Sequence, residues 1–200
     1  VNAFLVGSYV ALWVLVVVLA AAVLALYNHF GKMYLTSHEG RETQGPAVGS
    51  VLAAFSGTDL QGRAVSVPSA RPALVVLASV DCPECRRLRA PLQRLAASRD
   101  GELDVVVLCS GQRSQVTAWA SAMDGPVHVI QDKNYRRAGA MGVGITPFVV
   151  GVDGDGVVQA RGLVNGQDGL ALAVEALLDG GAVPTERGFT PIAMAGGTSR

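Results

Sequence analysis

The sequence predicts an α/β protein: a central mixed sheet flanked by helices, behind one N-terminal transmembrane helix. Three observations carry this. Residues 3–27 contain no charged side chain. The apolar run Ala73–Ser79 leads into Cys82-Pro83-Glu84-Cys85, a strand followed by a helix start. Further on, short apolar runs flank Asp153-Gly154-Asp155-Gly156 before a last helical face, so a hairpin and a helix follow a strand–helix–strand unit.

The N-terminal run is the first element. About 20 apolar residues suffice to span a bilayer as a helix. Tyr9 and Tyr27 are placed as interfacial anchors, with Trp13 inside the run. A cleaved signal peptide would show a shorter apolar stretch behind a basic segment, and neither is present, so a retained anchor over residues 3–28 is expected. Ala20-Ala21-Ala22, the one cleavage-like stretch, lies within the run. Charged residues are 16% of the chain against about 25% in soluble domains, which fits a segment that avoids water. Lys32 and Arg41 follow the span and none precedes it, a small bias toward a cytoplasmic C-terminal part.

Residues 29–49 have no sustained periodicity and read as a tether, leaving 50–180 for the domain and 181–200, rich in Gly and Pro with a polar end, for a flexible tail. Within the domain, Leu52–Phe55 and Ala64–Val67 flank a turn signal at Thr58–Arg63, a hairpin. Ala73–Ser79 is apolar throughout, as in a strand buried on both faces. Pro83 suits a first helical turn; Leu88, Leu92, Leu95 and Ala96 share one face, and Pro91 should kink that helix. Leu103–Cys109 reads as a second buried strand, Ser114–Met123 as a helix and Val127–Ile130 as a short strand. Tyr135–Met141 is a brief helix, Phe148–Val152 and Val157–Arg161 form a hairpin, and Leu170, Val174 and Leu177 mark the last helix.

The net charge is zero, so no basic excess points to nucleic acid. The three cysteines are too few for a disulfide-stapled mini-fold. A structural zinc site needs four ligands, and His29, His38 and His128 are scattered, so no metal site is expected. A purely structural Cys82–Cys85 bridge would close too small a loop to stabilise much. Placement favours redox chemistry instead. A sulfur at a helix start lies at the positive end of the dipole, which favours the nucleophilic thiolate at Cys82, while Cys85, one turn in, can attack a mixed disulfide. Asp81 and Glu84 put negative charge beside that thiolate and oppose it; Arg86 and Arg87 favour it. Cys109 ends the next strand on the same sheet edge, where a third redox thiol is conceivable, but a small buried hydrophobe is the commoner role.

At Gly144-Ile145-Thr146-Pro147-Phe148, together with the Cys-x-x-Cys pair and the helix after it, the chain resembles the thioredoxin superfamily. The resemblance implies a cis Thr146–Pro147 bond facing Cys82, with Thr146 offering its backbone to an extended client. The bland alternative is that Pro147 merely opens a strand. The apolar span, Gly45-Pro46-Ala47-Val48-Gly49 and Asp59-Leu60-Gln61-Gly62-Arg63-Ala64-Val65 resemble membrane-anchored TlpA-type redoxins. Arg161-Gly162-Leu163-Val164-Asn165 with Asp81-Cys82-Pro83-Glu84-Cys85 resembles the MauD-like redoxins of methylamine utilisation. Asp81 departs from the Trp that thioredoxins usually carry at that position.

This family implies an extracytoplasmic thiol–disulfide oxidoreductase acting on protein disulfides, with no cofactor beyond a redox-active Cys82–Cys85 disulfide. It implies protein dithiol or disulfide partners and a multi-span membrane redox partner of the MauE type. The alternative is a non-catalytic binding or assembly factor using the same client groove.

Overall fold

The structure, a computed structural model, describes residues 2–34, 44–123, 125–179 and 189–191. The chain divides into two compact units, Val1–Arg41 and Glu42–Arg200.

The first unit contains helix α1, Asn2–Tyr34. Its stretch Val6–Leu24 has a mean hydropathy of 2.5 over 19 residues. At about 1.5 Å rise per residue, a stretch of that length roughly matches the ~30 Å of a hydrocarbon core. Its large apolar side chains stand exposed, Val17 at 62% and Leu19 at 56%, so the described residues do not bury it in a core. The helix runs on to Tyr34, past the end expected at residue 28. A helix satisfies its own backbone hydrogen bonds and so need not stop where the apolar residues stop. Residues 35–43 of the expected tether lie outside the described residues.

The second unit is built on a six-stranded mixed sheet. Its elements are β1 (Phe55–Thr58), β2 (Ala64–Val67), β3 (Ala73–Ser79), α2 (Pro83–Arg87), α3 (Arg89–Ser98), β4 (Asp104–Ser110), α4 (Arg113–Ala120) and β5 (Val127–Gln131). After them come a 3-10 turn (Lys133–Tyr135), α5 (Arg136–Ala140), β6 (Phe148–Val152), β7 (Val158–Val164), α6 (Gly166–Asp179) and β8 (Phe189–Pro191). The sheet order is β5-β4-β3-β6-β7-β8. β3, β4 and β5 run parallel, while β6, β7 and β8 are each antiparallel to their neighbours.

β3 lies in the middle, and all seven of its residues are buried, as its unbroken apolar run requires. Alternate residues face opposite ways. Leu74, Val76 and Ala78 meet the helical layer of Leu88, Leu92, Val116, Trp119 and Leu170. Val75 and Leu77 face a second layer made by the β1–β2 hairpin and Ala138 of α5. Helices therefore cover both faces, as the element order implies.

One expectation is met and one is not. The helix after the cysteine pair breaks at Leu88, ahead of Pro91. Pro91 has no N–H for the Arg87 carbonyl and its ring crowds that oxygen, so the discontinuity falls in the preceding turn. The C-terminal segment is not featureless: β8 pairs with β7, with Thr190 opposite Leu163. β7 would otherwise present a bare outer edge, and three residues are enough to cover part of it.

The β1–β2 turn docks on β5, at the other edge of the sheet. The Leu60 N–H donates to the Val129 carbonyl at 2.9 Å. Asp59, 3% exposed, accepts from the Gln61 and Arg63 N–H groups, from Arg63 Nε at 2.7 Å, and contacts His128 Nδ1 at 2.9 Å. His128 is thus tied to a carboxylate that the linear spacing of histidines does not reveal.

Candidate active site

The site forms where the C-terminal end of β3 meets the loop leading into β6. The Cys82 N–H donates to the Ser79 carbonyl at 3.2 Å and the Asp81 N–H to Ser79 Oγ at 3.3 Å, so the chain turns tightly out of the sheet. Cys82 then caps α2: its Sγ accepts from the Cys85 N–H at 3.3 Å. Pro83 at the first turn gives up no hydrogen bond there, because that N–H would be unpartnered in any case.

Both cysteines are free thiols, but their surroundings differ. Cys82 is half-buried, whereas Cys85 is 1% exposed and packed in the helical-side core. Burial pushes the Cys85 thiol up to about 12, reinforced by the hydrogen bond and charge of Cys82. One sulfur is therefore reachable from outside and the other lies beneath it as a thiol.

Thr146 comes from the far side of the site. The Thr146–Pro147 bond is cis, and the Thr146 carbonyl oxygen lies 3.7 Å from Cys82 Sγ. Pro147 is buried, and its carbonyl accepts from the Val164 N–H of β7 at 3.3 Å. The structure thus brings Cys82, Cys85, Thr146 and Pro147 together from segments far apart in sequence. The charged neighbours are arranged differently from one another. Glu84 pairs with Arg87, while Asp81 and Arg86 lie exposed on the surface.

Cys109 sits in β4 opposite Ala78 and is fully buried. Desolvation pushes its thiol up to about 12, the state of a packed hydrophobe and not of a reactive thiol.

Sequence reasoning missed some supports of the site. Ser79, buried at the end of an apolar strand, holds the turn through both its hydroxyl and its carbonyl. Gly111 approaches Val80 so closely that a Cβ would lie 2.6 Å from a Val80 methyl carbon. Only the polar residue ending an apolar run could have flagged Ser79. Nothing local flags Gly111.

The family model described as Redoxin matches residues 45–177. The chain is 27% identical over 185 residues to the methylamine utilisation protein MauD of Paracoccus versutus, covering 86% of this chain and 89% of that protein. It is 29% identical over 190 residues to MauD of Methylorubrum extorquens, covering 86% of each. Among solved structures it matches a secreted Mycobacterium tuberculosis disulfide oxidoreductase homologous to Escherichia coli DsbE. The TM-score there is 0.54 at 20% identity, covering 62% of this chain and 96% of that one, a likeness of fold. With the matched region running from the Gly45 segment through the cysteine pair and the Thr-Pro loop to α6, the chain belongs to the Redoxin family, has a thioredoxin-like fold and is related to MauD.

Proposed function

We propose that this redoxin is a membrane-tethered thiol–disulfide oxidoreductase acting on protein disulfides outside the cytoplasm. The observation that carries it is the asymmetry of the pair: a reachable Cys82 sulfur beside the Thr146 carbonyl, with a buried Cys85 one turn behind.

In the reducing direction the Cys82 thiolate attacks a client disulfide. A Cys82–client bond forms and one client sulfur leaves as a thiolate. The Cys85 N–H, already aimed at Cys82 Sγ, supplies a donor to that sulfur while it carries charge. Cys85 then loses its proton to the departing client sulfur and attacks Cys82 Sγ. The Cys82–Cys85 disulfide forms, the second client thiol leaves, and two electrons have passed to the client. Burial holds Cys85 as a thiol until then, so it does not compete for the first attack. The reverse sequence oxidises a client dithiol. No prosthetic group is needed in either direction, and a membrane dithiol partner of the MauE type would restore the starting state.

Thr146 and Pro147 would hold the client, with Thr146 pairing its backbone to an extended segment as an added strand. Asp81, Glu84 and Arg86 would tune the reactivity of Cys82, with the negative charge of Glu84 partly spent on Arg87. Turnover of insulin or of a scrambled disulfide protein by the purified chain tests the reading. Cys82→Ser should abolish it; turnover retained without Cys82 would overturn its role as the attacking sulfur, and no turnover by the wild-type chain would leave the binding-factor alternative.

Two things support this location, α1 and the chemistry of the pair. A helix of this length and hydropathy would hold the domain at a membrane, and disulfide-handling pairs belong on its oxidising side. The small charge bias of Lys32 and Arg41 points the other way. A membrane-impermeant maleimide applied to intact cells after mild reduction should label Cys82. Labelling only after lysis would place the domain in the cytoplasm.

A further inference from the structure

We propose that Gln44 and Arg161 are positioning residues for the client-binding loop, fixing Gly142–Pro147 from behind. This rests on the reading of Thr146 as the residue that meets the client. The loop between α5 and β6 has neither helix nor strand of its own, so its place must be set by partners elsewhere.

Those partners come from about 100 residues upstream, at the start of the second unit. The Gly144 N–H donates to the Gln44 side-chain oxygen at 2.6 Å. The Gly45 N–H donates to the Gly142 carbonyl at 3.1 Å. Gly45, at φ +79°, approaches Phe148 so closely that a Cβ would lie 3.0 Å from its ring. Phe148 follows Pro147 directly and is fully buried.

The Gln44 segment would be a poor support unless it were itself held. Arg161 does this. From β7, opposite Val150, its Nη1 reaches three successive carbonyls: Gln44 at 3.1 Å, Gly45 at 2.7 Å and Pro46 at 3.1 Å. It is 8% exposed, so these charge-assisted bonds are made largely out of water, where they are strong. The same strand donates to the Pro147 carbonyl through the Val164 N–H. β7 thus grips the client loop twice, once directly and once through Arg161, the Gln44–Pro46 segment and Gly144. Losing the clamp frees the Thr146 backbone to wander from Cys82, and a client must then order it on binding.

The test uses the full chain in detergent, with insulin as client and dithiobis(nitrobenzoate) as a small disulfide that needs no platform. Gln44→Ala should lower kcat/KM for insulin about tenfold, mainly through KM, as for one lost positioning hydrogen bond. Its reaction with the small disulfide should stay within about twofold, since neither sulfur is touched. Gln44→Glu keeps an acceptor for the Gly144 N–H and should recover most of the loss. Arg161→Met, which keeps an apolar stem but offers the three carbonyls no donor, should act in the same direction as Gln44→Ala and more strongly. Insulin kinetics unchanged in Gln44→Ala and Arg161→Met, with an active wild type, would overturn the clamp. So would equal losses toward both disulfides, or a lowered melting temperature with normal kinetics. A wild-type chain inert toward insulin and scrambled clients would instead overturn the oxidoreductase reading on which the clamp rests.

Discussion

Cys85→Ala brings turnover to zero and leaves Cys82 covalently joined to its client. The first attack is intact in this variant, because Cys82 keeps its half-exposed position and its place beside Thr146. The second attack has no thiol to make it. Without an intramolecular nucleophile, disulfide rearrangement takes on the order of minutes to hours, so the mixed species should survive non-reducing electrophoresis. Cys109 does not stand in for Cys85. It is sealed in β4 with a thiol pushed up to about 12, and its side chain packs in the core. Adding Cys109→Ser to Cys85→Ala should therefore leave the trapped yield unchanged. Mass spectrometry of the adduct should find the client on Cys82. If trapping requires Cys82→Ala with Cys85 intact, the roles of the two sulfurs are reversed.

What the sequence disclosed about this site follows from how local the signals are. β3 could be bounded to the residue because seven consecutive side chains avoid water, and the cysteine pair is identified by its place between that strand and Pro83. Thr146-Pro147 was legible as a short motif, although only the resemblance linked it to Cys82. The supports are a different matter. Gln44 and Gly144 stand 100 positions apart, and Arg161 and Gly45 stand 116 apart. No periodicity or spacing connects such pairs; only the folded sheet brings them together. Arg161 did stand out as part of a family-like run, but nothing in that run says that its guanidinium turns inward onto backbone carbonyls. β8 stayed hidden for a related reason. Phe189-Thr190-Pro191 is too short to show alternation, and its strand state depends on the open edge of β7.

Asp59→Ala lowers the stability of the domain by about 2–4 kcal/mol, the cost of leaving buried donors without their acceptor. The carboxylate is 3% exposed and serves the Gln61 and Arg63 N–H groups, the Arg63 guanidinium and the His128 ring. Arg63 is 43% exposed in its side chain, so its charge can return to water and adds little to the loss. Asp59→Asn keeps an oxygen for the two N–H groups and should cost less at neutral pH. It also isolates the role of charge. Burial alone would push the Asp59 carboxyl up, but the His128 ring, the Arg63 N–H and the Arg63 guanidinium outweigh it and hold the group below its ordinary value. The unfolded chain therefore binds this proton more readily than the folded one. The charge-dependent stability is complete above the unfolded value of about 3.9, and it drains away as pH falls through the lower folded value. Urea midpoints for wild type and Asp59→Asn should accordingly differ at pH 7 and converge below about pH 4. A constant gap across that range would mean that the carboxylate acts through shape alone. The β1–β2 turn docks on β5 at the sheet edge, with β4 between it and β3, so folded Asp59→Asn should retain wild-type client turnover, separating what holds the hairpin from what holds the client.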